Sequence, residues 1–369
     1  MNRWSARVTV ASLLSLFSCI GPQVAVRVPE SGDVTIFLHG YKGSFLREVD
    51  GDQQLAWMTP GLAMSKGEKS LAYSFEGQRD FARYGALKVD GPMTKLTVLP
   101  LLIEEPGYQG FMQWGVDTLP GFVAFAYDWR QDVRTSANEL CAFIERLGPG
   151  RKVKLIGHSM GGLVSLQCLR RGSAAVRNVV THVVFLGTPF RGAPAIFDDL
   201  FIGSVNGRNS TLVNREALLT FTSAFQLIGP SVPGATEATA DLWQTNRWGI
   251  FADETLTETS AYNKKLAEQL SANAALVQSL ADEDGPAPTY KALAVIGTGE
   301  KTIASWPVQG TAFDLKNPNY GDGDGLVTVE SAVPPRPLAA QVVRLPAEHS
   351  AMVFDRALQK AVADFLSAP

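Results

Sequence analysis

Short apolar runs alternate with amphipathic stretches along most of the chain. The apolar runs predict buried strands, and the stretches with apolar residues at helical spacing predict helices. The predicted strands are residues 34–38, 121–126, 152–156, 179–186, 291–296 and 341–345, and the predicted helices are residues 134–146, 160–171, 262–280 and 351–366. This alternation predicts an α/β fold over residues 30–366, with a mostly parallel sheet and helices on both faces.

The alternation is interrupted twice. Between residues 192 and 258, apolar residues are scattered among Ser, Asn and Gly, which predicts an inserted cap or lid. Its alternative is a structural excursion with a small core of its own, because apolar stripes usually pack. Residues 43–110 form a second insertion, rich in aromatic residues and Met, which either contacts a membrane surface or extends the core.

The sequence Gly157-His158-Ser159-Met160-Gly161 lies between a predicted strand and a predicted helix. A Gly-x-Ser-x-Gly turn in this context is a nucleophile elbow, which holds the serine hydroxyl above the sheet. Ser159 is therefore the predicted nucleophile. The backbone N–H of Met160, the next residue, is a predicted oxyanion donor.

A nucleophilic serine needs a base, and the chain has 4 histidines. His349 is the predicted base, because it lies in the loop after the last predicted strand. His39 is predicted to brace the loop after the first strand. His158 is predicted to point away from the serine, and His182 to be packed or half exposed at the start of its strand.

The acid that orients the base is expected between the serine and the histidine in chain order. The glycine-rich loop Tyr320–Val327 supplies Asp322 and Asp324, of which Asp324 is the preferred acid and Asp322 the alternative. A calcium loop is disfavoured, because the spaced acidic ligands and final glutamate of an EF-hand are missing. The sequence predicts no metal site and no cofactor.

The loop after the first strand reads His39-Gly40-Tyr41. Gly40 permits the turn that would present the N–H of Tyr41 to the reaction centre. Tyr41 is therefore the predicted second oxyanion donor, beside Met160.

Four further motifs extend this pattern: Tyr127-Asp128-Trp129-Arg130, Gly187-Thr188-Pro189-Phe190-Arg191-Gly192-Ala193-Pro194, Ser223-Ala224-Phe225-Gln226-Leu227-Ile228-Gly229-Pro230 and Asp322–Val327. With the elbow, they resemble the lecithin:cholesterol acyltransferase family, in matching order from about residue 34 to residue 349. The resemblance implies an α/β-hydrolase fold and acyl chemistry on lipids. The apolar face of the lid would then form the acyl-chain groove, with Phe197, Phe221, Phe225 and Leu227 as substrate-binding residues.

The chain departs from this family in three respects. It has His39-Gly40 where the family usually has Pro-Gly, and Leu326 where the family usually has Thr. It also lacks cysteines for the disulfides that mammalian members carry around the lid and acid loop. Cys141 and Cys168 fall on predicted helices and are interpreted as separate buried apolar residues, not as a disulfide.

The first residues resemble an export signal. Residues 1–18 combine a basic start with an apolar run too short to span a bilayer, which is typical of a signal peptide. Cys19 resembles a lipidation site, so we expect a lipid anchor at the bacterial outer membrane or periplasm. The alternative is ordinary cleavage and secretion.

The composition fits this interpretation. A formal net charge of −3 and a pI near 5.9 disfavour nucleic acid as a partner. The expected partners are a phospholipid or other acyl-ester lipid and a membrane surface, with no obligate protein partner. We therefore expect a serine-dependent lipid acyl hydrolase, a phospholipase A with possible O-acyltransferase activity. The alternatives are a triacylglycerol lipase or carboxylesterase, and a non-catalytic lipid-binding lipoprotein.

Overall fold

The computed structural model describes residues 28–94, 96–99, 103–105, 107–206, 208–229, 259–281, 288–309, 312–338 and 340–369. The strands are β1 Val34–Leu38, β2 Ser44–Glu48, β3 Leu55–Trp57, β4 Leu87–Pro92, β5 Leu96–Leu99, β6 Ile103–Glu105, β7 Phe122–Phe125, β8 Val153–His158, β9 Val180–Leu186, β10 Ser204–Asn206, β11 Asn209–Val213, β12 Lys291–Thr298, β13 Glu300–Ser305, β14 Val308–Gln309, β15 Ala312–Phe313, β16 Asn319–Gly323 and β17 Gln341–Pro346. The helices are α1 Pro60–Met64, α2 Gln109–Thr118, α3 Val133–Arg146, α4 Met160–Arg171, α5 Ala174–Val179, α6 Ile196–Ile202, α7 Arg215–Thr220, α8 Thr222–Gln226, α9 Thr259–Ala281, α10 Val329–Ala332 and α11 Arg356–Ser367. The predicted leader, Cys19 and residues 230–258 of the predicted cap lie outside the described residues.

The central sheet contains the six predicted strands, in the order β17-β12-β9-β8-β1-β7. All five neighbouring pairs are parallel. Every residue of β1 is buried, as expected for a strand that is covered on both faces. The predicted α/β architecture with a mostly parallel sheet is confirmed.

Successive residues of these strands face opposite sides of the sheet, because side chains alternate along a strand. Ile36 lies in one apolar core with the apolar faces of α3 and α4. Its neighbour Phe37 lies in a second core with α2 and α11. Helices therefore cover both faces, and the loops that carry the predicted site residues lie at the ends of the strands.

The predicted last helix, residues 351–366, is interrupted. A short 3₁₀ turn spans Met352–Phe354, and α11 begins only at Arg356. The interruption occurs at Asp355, whose side chain accepts a hydrogen bond from the N–H of Leu358 and so caps the helix.

Cys141 and Cys168 form a disulfide, so the interpretation of them as separate apolar residues is wrong. The two cysteines lie on α3 and α4, which pack side by side on the same face of the sheet. Their Cα atoms are 5.6 Å apart, within the usual range for a disulfide. Sequence alone does not show this pairing, because it depends on how the two helices pack.

The described part of the cap is anchored by buried polar side chains. Ser223 donates a hydrogen bond to the carbonyl oxygen of Trp129 at 2.6 Å. Gln226 accepts from the N–H of Val133 and donates to Asn273, so α8 is tied to α3 and α9. The motif that contains Ser223 and Gln226 therefore holds this part of the cap on the main domain.

The insertion at residues 43–110 includes the antiparallel sheet β3-β2-β4. Trp57 and Met58 are buried in the same core as α3 and α4, and this part of the insertion extends the core. Met64 at the end of α1 is exposed. None of the described helices has the length and apolar character needed to cross a membrane.

Candidate active site

Ser159 occupies the turn between β8 and α4 with φ 54° and ψ −126°. Positive φ is strained for a residue with a side chain, and such strain is typical of functional turns. The turn is tight: a Cβ on Gly161 would lie 2.5 Å from the carbonyl oxygen of Leu38, and one on Gly157 would lie 2.5 Å from the amide of Gly162. Only glycine fits at these two positions. Ser159 lines a cavity of about 310 Å³.

His349 follows β17 and lines the same cavity as Ser159. Its Nδ1 lies 2.7 Å from Oδ2 of Asp324, and both side chains are buried. A neutral histidine that donates from Nδ1 to a carboxylate carries no proton on Nε2. The ring can therefore accept a proton at Nε2, as a general base requires.

The loop after β16 orients Asp324 through its other oxygen. Oδ1 accepts hydrogen bonds from the backbone amides of Leu326 and Val327 at 3.0 and 2.7 Å. Burial alone would raise the pKa of Asp324, but the hydrogen bonds from His349 and these amides outweigh it and lower the pKa. Asp324 is therefore charged at neutral pH and favours the orientation of His349.

Asp322 lies in a different environment. Its side chain is exposed, and its Oδ1 accepts a hydrogen bond from the backbone amide of Gly299 at 2.7 Å. The structure thus places Asp324, and not Asp322, beside the imidazole of His349.

The loop after β1 lies against Ser159. The N–H of Gly43 donates to the carbonyl oxygen of Gly40, which closes a turn with Tyr41 at its second position. Tyr41 lines the cavity with Ser159. Met160 is the first residue of α4, where N–H groups have no partner within the helix. Tyr41 thus lies at the cavity and Met160 directly follows the serine, and their role as oxyanion donors stays a prediction.

The other three histidines differ in their surroundings. His39 is fully buried, stacks on Tyr127 at 4.2 Å and hydrogen-bonds to the carbonyl of Gly40. Burial lowers its pKa to about 4. His182 packs against Phe365. His158 does not point away from the site, because it lines the cavity and its ring centroid is 4.9 Å from that of His349.

Three of the four predicted groove residues are misassigned. Leu227 lines the cavity, but Phe197, Phe221 and Phe225 are at most 1% exposed and lie outside its lining. Their rings form the buried face of the cap, and Phe221, for example, packs edge-on against Trp129 at 5.6 Å. The apolar wall of the cavity is formed by Pro189, Ala193, Ala195, Ile196, Leu227, Leu326 and Val327.

An ion pair at the cavity was not predicted from the sequence. Nζ of Lys42 lies 3.0 Å from Oδ2 of Asp199 and 2.6 Å from Oγ of Ser204. Lys42 and Asp199 both line the cavity, which is therefore apolar along one wall and charged along another. No local motif marks these residues, since Lys42 and Asp199 are far apart in the sequence.

The parallel sheet, the strand–serine–helix turn and the loop histidine define an α/β-hydrolase. Residues 107–282 match the family model of lecithin:cholesterol acyltransferase, so the resemblance predicted from the sequence is confirmed.

Similarity to individual proteins is more distant. An uncharacterized protein of Saccharomyces cerevisiae, YJR098C, is 27% identical over 209 residues, which cover 53% of this chain and 29% of the yeast protein. The chain thus spans less than a third of that relative. A chain of the Tle4–Tli4 complex has a similar fold, with a TM-score of 0.52, 13% identity and coverage of 91% of this chain and 98% of that one. A Bacillus licheniformis lipase, BlEst2, is 13% identical, with a TM-score of 0.36 and 89% coverage of each chain.

Proposed function

We propose that the chain is a serine-dependent acyl hydrolase of lipid esters. The observation that carries this proposal is one cavity lined by both Ser159 and His349, with Asp324 hydrogen-bonded to the far side of the imidazole. A nucleophile, a base and a buried acid in this order are the groups that acyl transfer through a serine requires.

In the proposed mechanism, Nε2 of His349 removes the proton of the Ser159 hydroxyl while the oxygen attacks the ester carbonyl. The N–H groups of Tyr41 and Met160 stabilise the oxyanion, an effect worth about 3 kcal/mol per donor in other enzymes. The imidazolium returns its proton to the leaving alcohol, and an acyl-enzyme remains. Water or a second alcohol, deprotonated by His349, then removes the acyl group.

We propose phospholipase A as the activity, with O-acyl transfer when an alcohol replaces water. The cavity supports this assignment, because its apolar wall suits an acyl chain and the Lys42–Asp199 pair suits a polar head group. Hydrolysis and transfer differ only in the acceptor of the acyl group. Exclusion of water from the closed site would favour transfer.

A carboxylesterase or triacylglycerol lipase is the second candidate. The cavity formed by the described residues has a volume of about 310 Å³, at the low end for ligand sites, which favours a small ester. Soluble esters of increasing chain length distinguish the candidates, since a short-chain esterase would reject micellar substrates.

We also propose that the protein is exported and held at a lipid surface through Cys19. The disulfide between Cys141 and Cys168 supports export, because disulfides persist mainly in oxidising compartments. Metabolic labelling with a fatty acid, in cells that express the wild type or Cys19→Ala, tests the anchor. Label in the wild type alone would support it, and no label in either would indicate ordinary secretion.

The main test uses purified protein and phosphatidylcholine vesicles, with and without a long-chain alcohol. Ser159→Ala and His349→Gln should each reduce release of fatty acid by at least about 10,000-fold. His182→Gln is the matched control, since His182 packs outside the cavity, and it should retain activity. Acylated alcohol would add the transferase activity.

Two outcomes would contradict the proposal. Cleavage of soluble esters without any turnover of lipid would favour the carboxylesterase. Failure of a fluorophosphonate probe to label Ser159 in the folded wild type would favour a non-catalytic lipid-binding protein.

A further inference from the structure

A series of three hydrogen bonds runs beside the proposed site. The backbone N–H of Gly40 lies 2.9 Å from Oη of Tyr108, and this Oη lies 2.7 Å from Nδ1 of His158. On the other side of the ring, Nε2 of His158 lies 3.0 Å from the carbonyl oxygen of His349. This distance is within the normal range for a hydrogen bond.

The direction of each hydrogen bond follows from its donors. The amide of Gly40 can only donate, so the oxygen of Tyr108 accepts there and its single proton goes to Nδ1 of His158. Nδ1 is then an acceptor, and the proton of the neutral ring is on Nε2, where it is donated to the carbonyl of His349. Burial lowers the pKa of His158 to about 3, in agreement with a neutral ring.

These contacts meet at the serine. A Cβ added to Gly40 would lie 2.9 Å from Cβ of Ser159, 3.2 Å from Oη of Tyr108 and 3.3 Å from Nδ1 of His158. These hydrogen bonds therefore join the loop that carries the proposed oxyanion donor Tyr41 to the loop that carries the proposed base. They pass close to Cβ of Ser159.

Neither side chain is free to act on a substrate. The proton of Tyr108 is donated to His158, its oxygen accepts from Gly40, and both ring nitrogens of His158 are engaged. The ring of Tyr108 is held edge-on against Phe37 at 5.1 Å, so the hydroxyl has a fixed position. The arrangement suits a pair of residues that holds other groups in position. Tyr108, His158 and the three hydrogen bonds that they make are called the brace below.

We propose that Tyr108 and His158 are positioning residues, which hold the Gly40–Tyr41 loop and the backbone of His349 in register around Ser159. This inference rests on the proposed acyl transfer. A shift of about 1 Å in a reacting group can cost about 100-fold in rate, so loss of the brace should reduce kcat and leave substrate binding unchanged.

Three variants separate the two halves of the brace. Tyr108→Phe removes the hydroxyl and breaks both bonds to it. His158→Asn places an amide near the position of Nδ1, and it keeps an acceptor for Tyr108 but loses the donor to His349. His158→Gln places its amide near Nε2, and it keeps the donor to His349 but loses the acceptor. Tyr73→Phe is the matched control, because it removes a tyrosine hydroxyl that donates to Asp128 away from the cavity.

The experiment measures kcat and KM on a soluble ester, together with the rate of labelling by a fluorophosphonate. Each variant is first checked for its fold by circular dichroism. Tyr108→Phe and His158→Asn should lower kcat and the labelling rate by about 10- to 100-fold, with KM within about 3-fold. His158→Gln should recover most of the kcat that His158→Asn loses. Tyr73→Phe should retain the wild-type kcat.

Wild-type kcat in folded Tyr108→Phe and His158→Asn would overturn the positioning role, as would an effect on KM alone. An equal loss of kcat in Tyr73→Phe would mean that the effect is only structural, and it would also overturn the inference. A wild-type protein that neither cleaves the ester nor reacts with the probe would instead overturn the proposed function, and the positioning role with it.

Discussion

Two buried carboxylates in this molecule each contact a basic side chain at 2.7 Å, yet only one of them belongs to the candidate site. Asp128 is paired with Arg130, and Asp324 is paired with His349. In both cases burial alone would raise the pKa of the carboxyl, and the hydrogen bonds from the partner outweigh it and lower the pKa. A buried pair with a lowered pKa therefore does not by itself mark a site.

The difference lies in the atoms that each pair leaves unused. Arg130 donates from Nε and Nη2 to Asp128 and from Nη1 to the carbonyl of Leu71, and its guanidinium keeps its charge in proteins. Tyr73 adds a further hydrogen bond to Asp128, at 3.1 Å. This pair is satisfied within the protein and holds the structure together.

The second pair is open on one side. His349 uses Nδ1 for Asp324 and lines the cavity with Ser159. Its second ring nitrogen can accept a proton, and the guanidinium of Arg130 has no such acceptor. A partner that lines a cavity and keeps a proton-accepting atom distinguishes a candidate catalytic pair from a structural one.

The sharpest test of this comparison is Asp324→Asn, which should reduce kcat by about 10,000-fold with little loss of stability. An amide in place of the carboxylate favours the wrong tautomer of His349 and no longer stabilises the imidazolium. Steady-state ester hydrolysis measures the effect. Asp322→Asn is the matched control, and it should stay within about 3-fold of the wild type, since Asp322 is exposed and its carboxylate accepts from the amide of Gly299 instead of from His349. Equal losses in the two variants would remove the distinction between these aspartates.

The structural pair should respond in the opposite way. Asp128→Asn leaves the buried charge of Arg130 without its partner and should lower the free energy of unfolding by about 3–5 kcal/mol. Activity per folded molecule should change by less than about 3-fold. Urea unfolding and active-site titration give the two quantities.

Asp90→Asn controls for this variant, because the Arg47–Asp90 pair is about 30% exposed on each side chain. Its loss should cost at most about 1 kcal/mol. If Asp128→Asn were as stable as Asp90→Asn, burial would not distinguish the two pairs.

The sequence predicts those parts of this arrangement that depend on local pattern and chain order. The six central strands, the turn at Ser159 and the order of Ser159, Asp324 and His349 follow from apolar runs, glycine spacing and loop position. These features are local because a strand or a tight turn is determined by neighbouring residues.

Features that depend on distant packing could not be predicted. Tyr108 carries no motif, and its hydroxyl reaches His158 only because the start of α2 lies beside the end of β8. Phe197 and Phe221 were misassigned because an aromatic residue at helical spacing has the same pattern in a core as in a groove. The disulfide was missed because it joins two helices whose contact the sequence does not specify.

The smallest expected effect is the contribution of two buried histidines, His39 and His158, to the dependence of stability on pH. Burial lowers the pKa of His39 to about 4 and that of His158 to about 3, below the ordinary value of about 6.5. Below pH 6.5 the unfolded chain therefore binds more protons than the folded chain, so stability falls as the pH falls. From pH 6.5 to pH 5.5, each histidine should remove about 1 kcal/mol from the free energy of unfolding.

Urea unfolding of the wild type and His158→Gln at pH 7.5, 6.5 and 5.5 measures this dependence. The variant lacks one of the two buried imidazoles, so its stability should fall by about 1 kcal/mol less than that of the wild type between pH 6.5 and pH 5.5. His39→Gln should show a similar reduction, because both rings are neutral and buried in the folded state. If the free energy of unfolding fell equally with pH in the wild type and both variants, these rings would take up protons without unfolding. The assignment of a neutral ring to His158 would then be wrong.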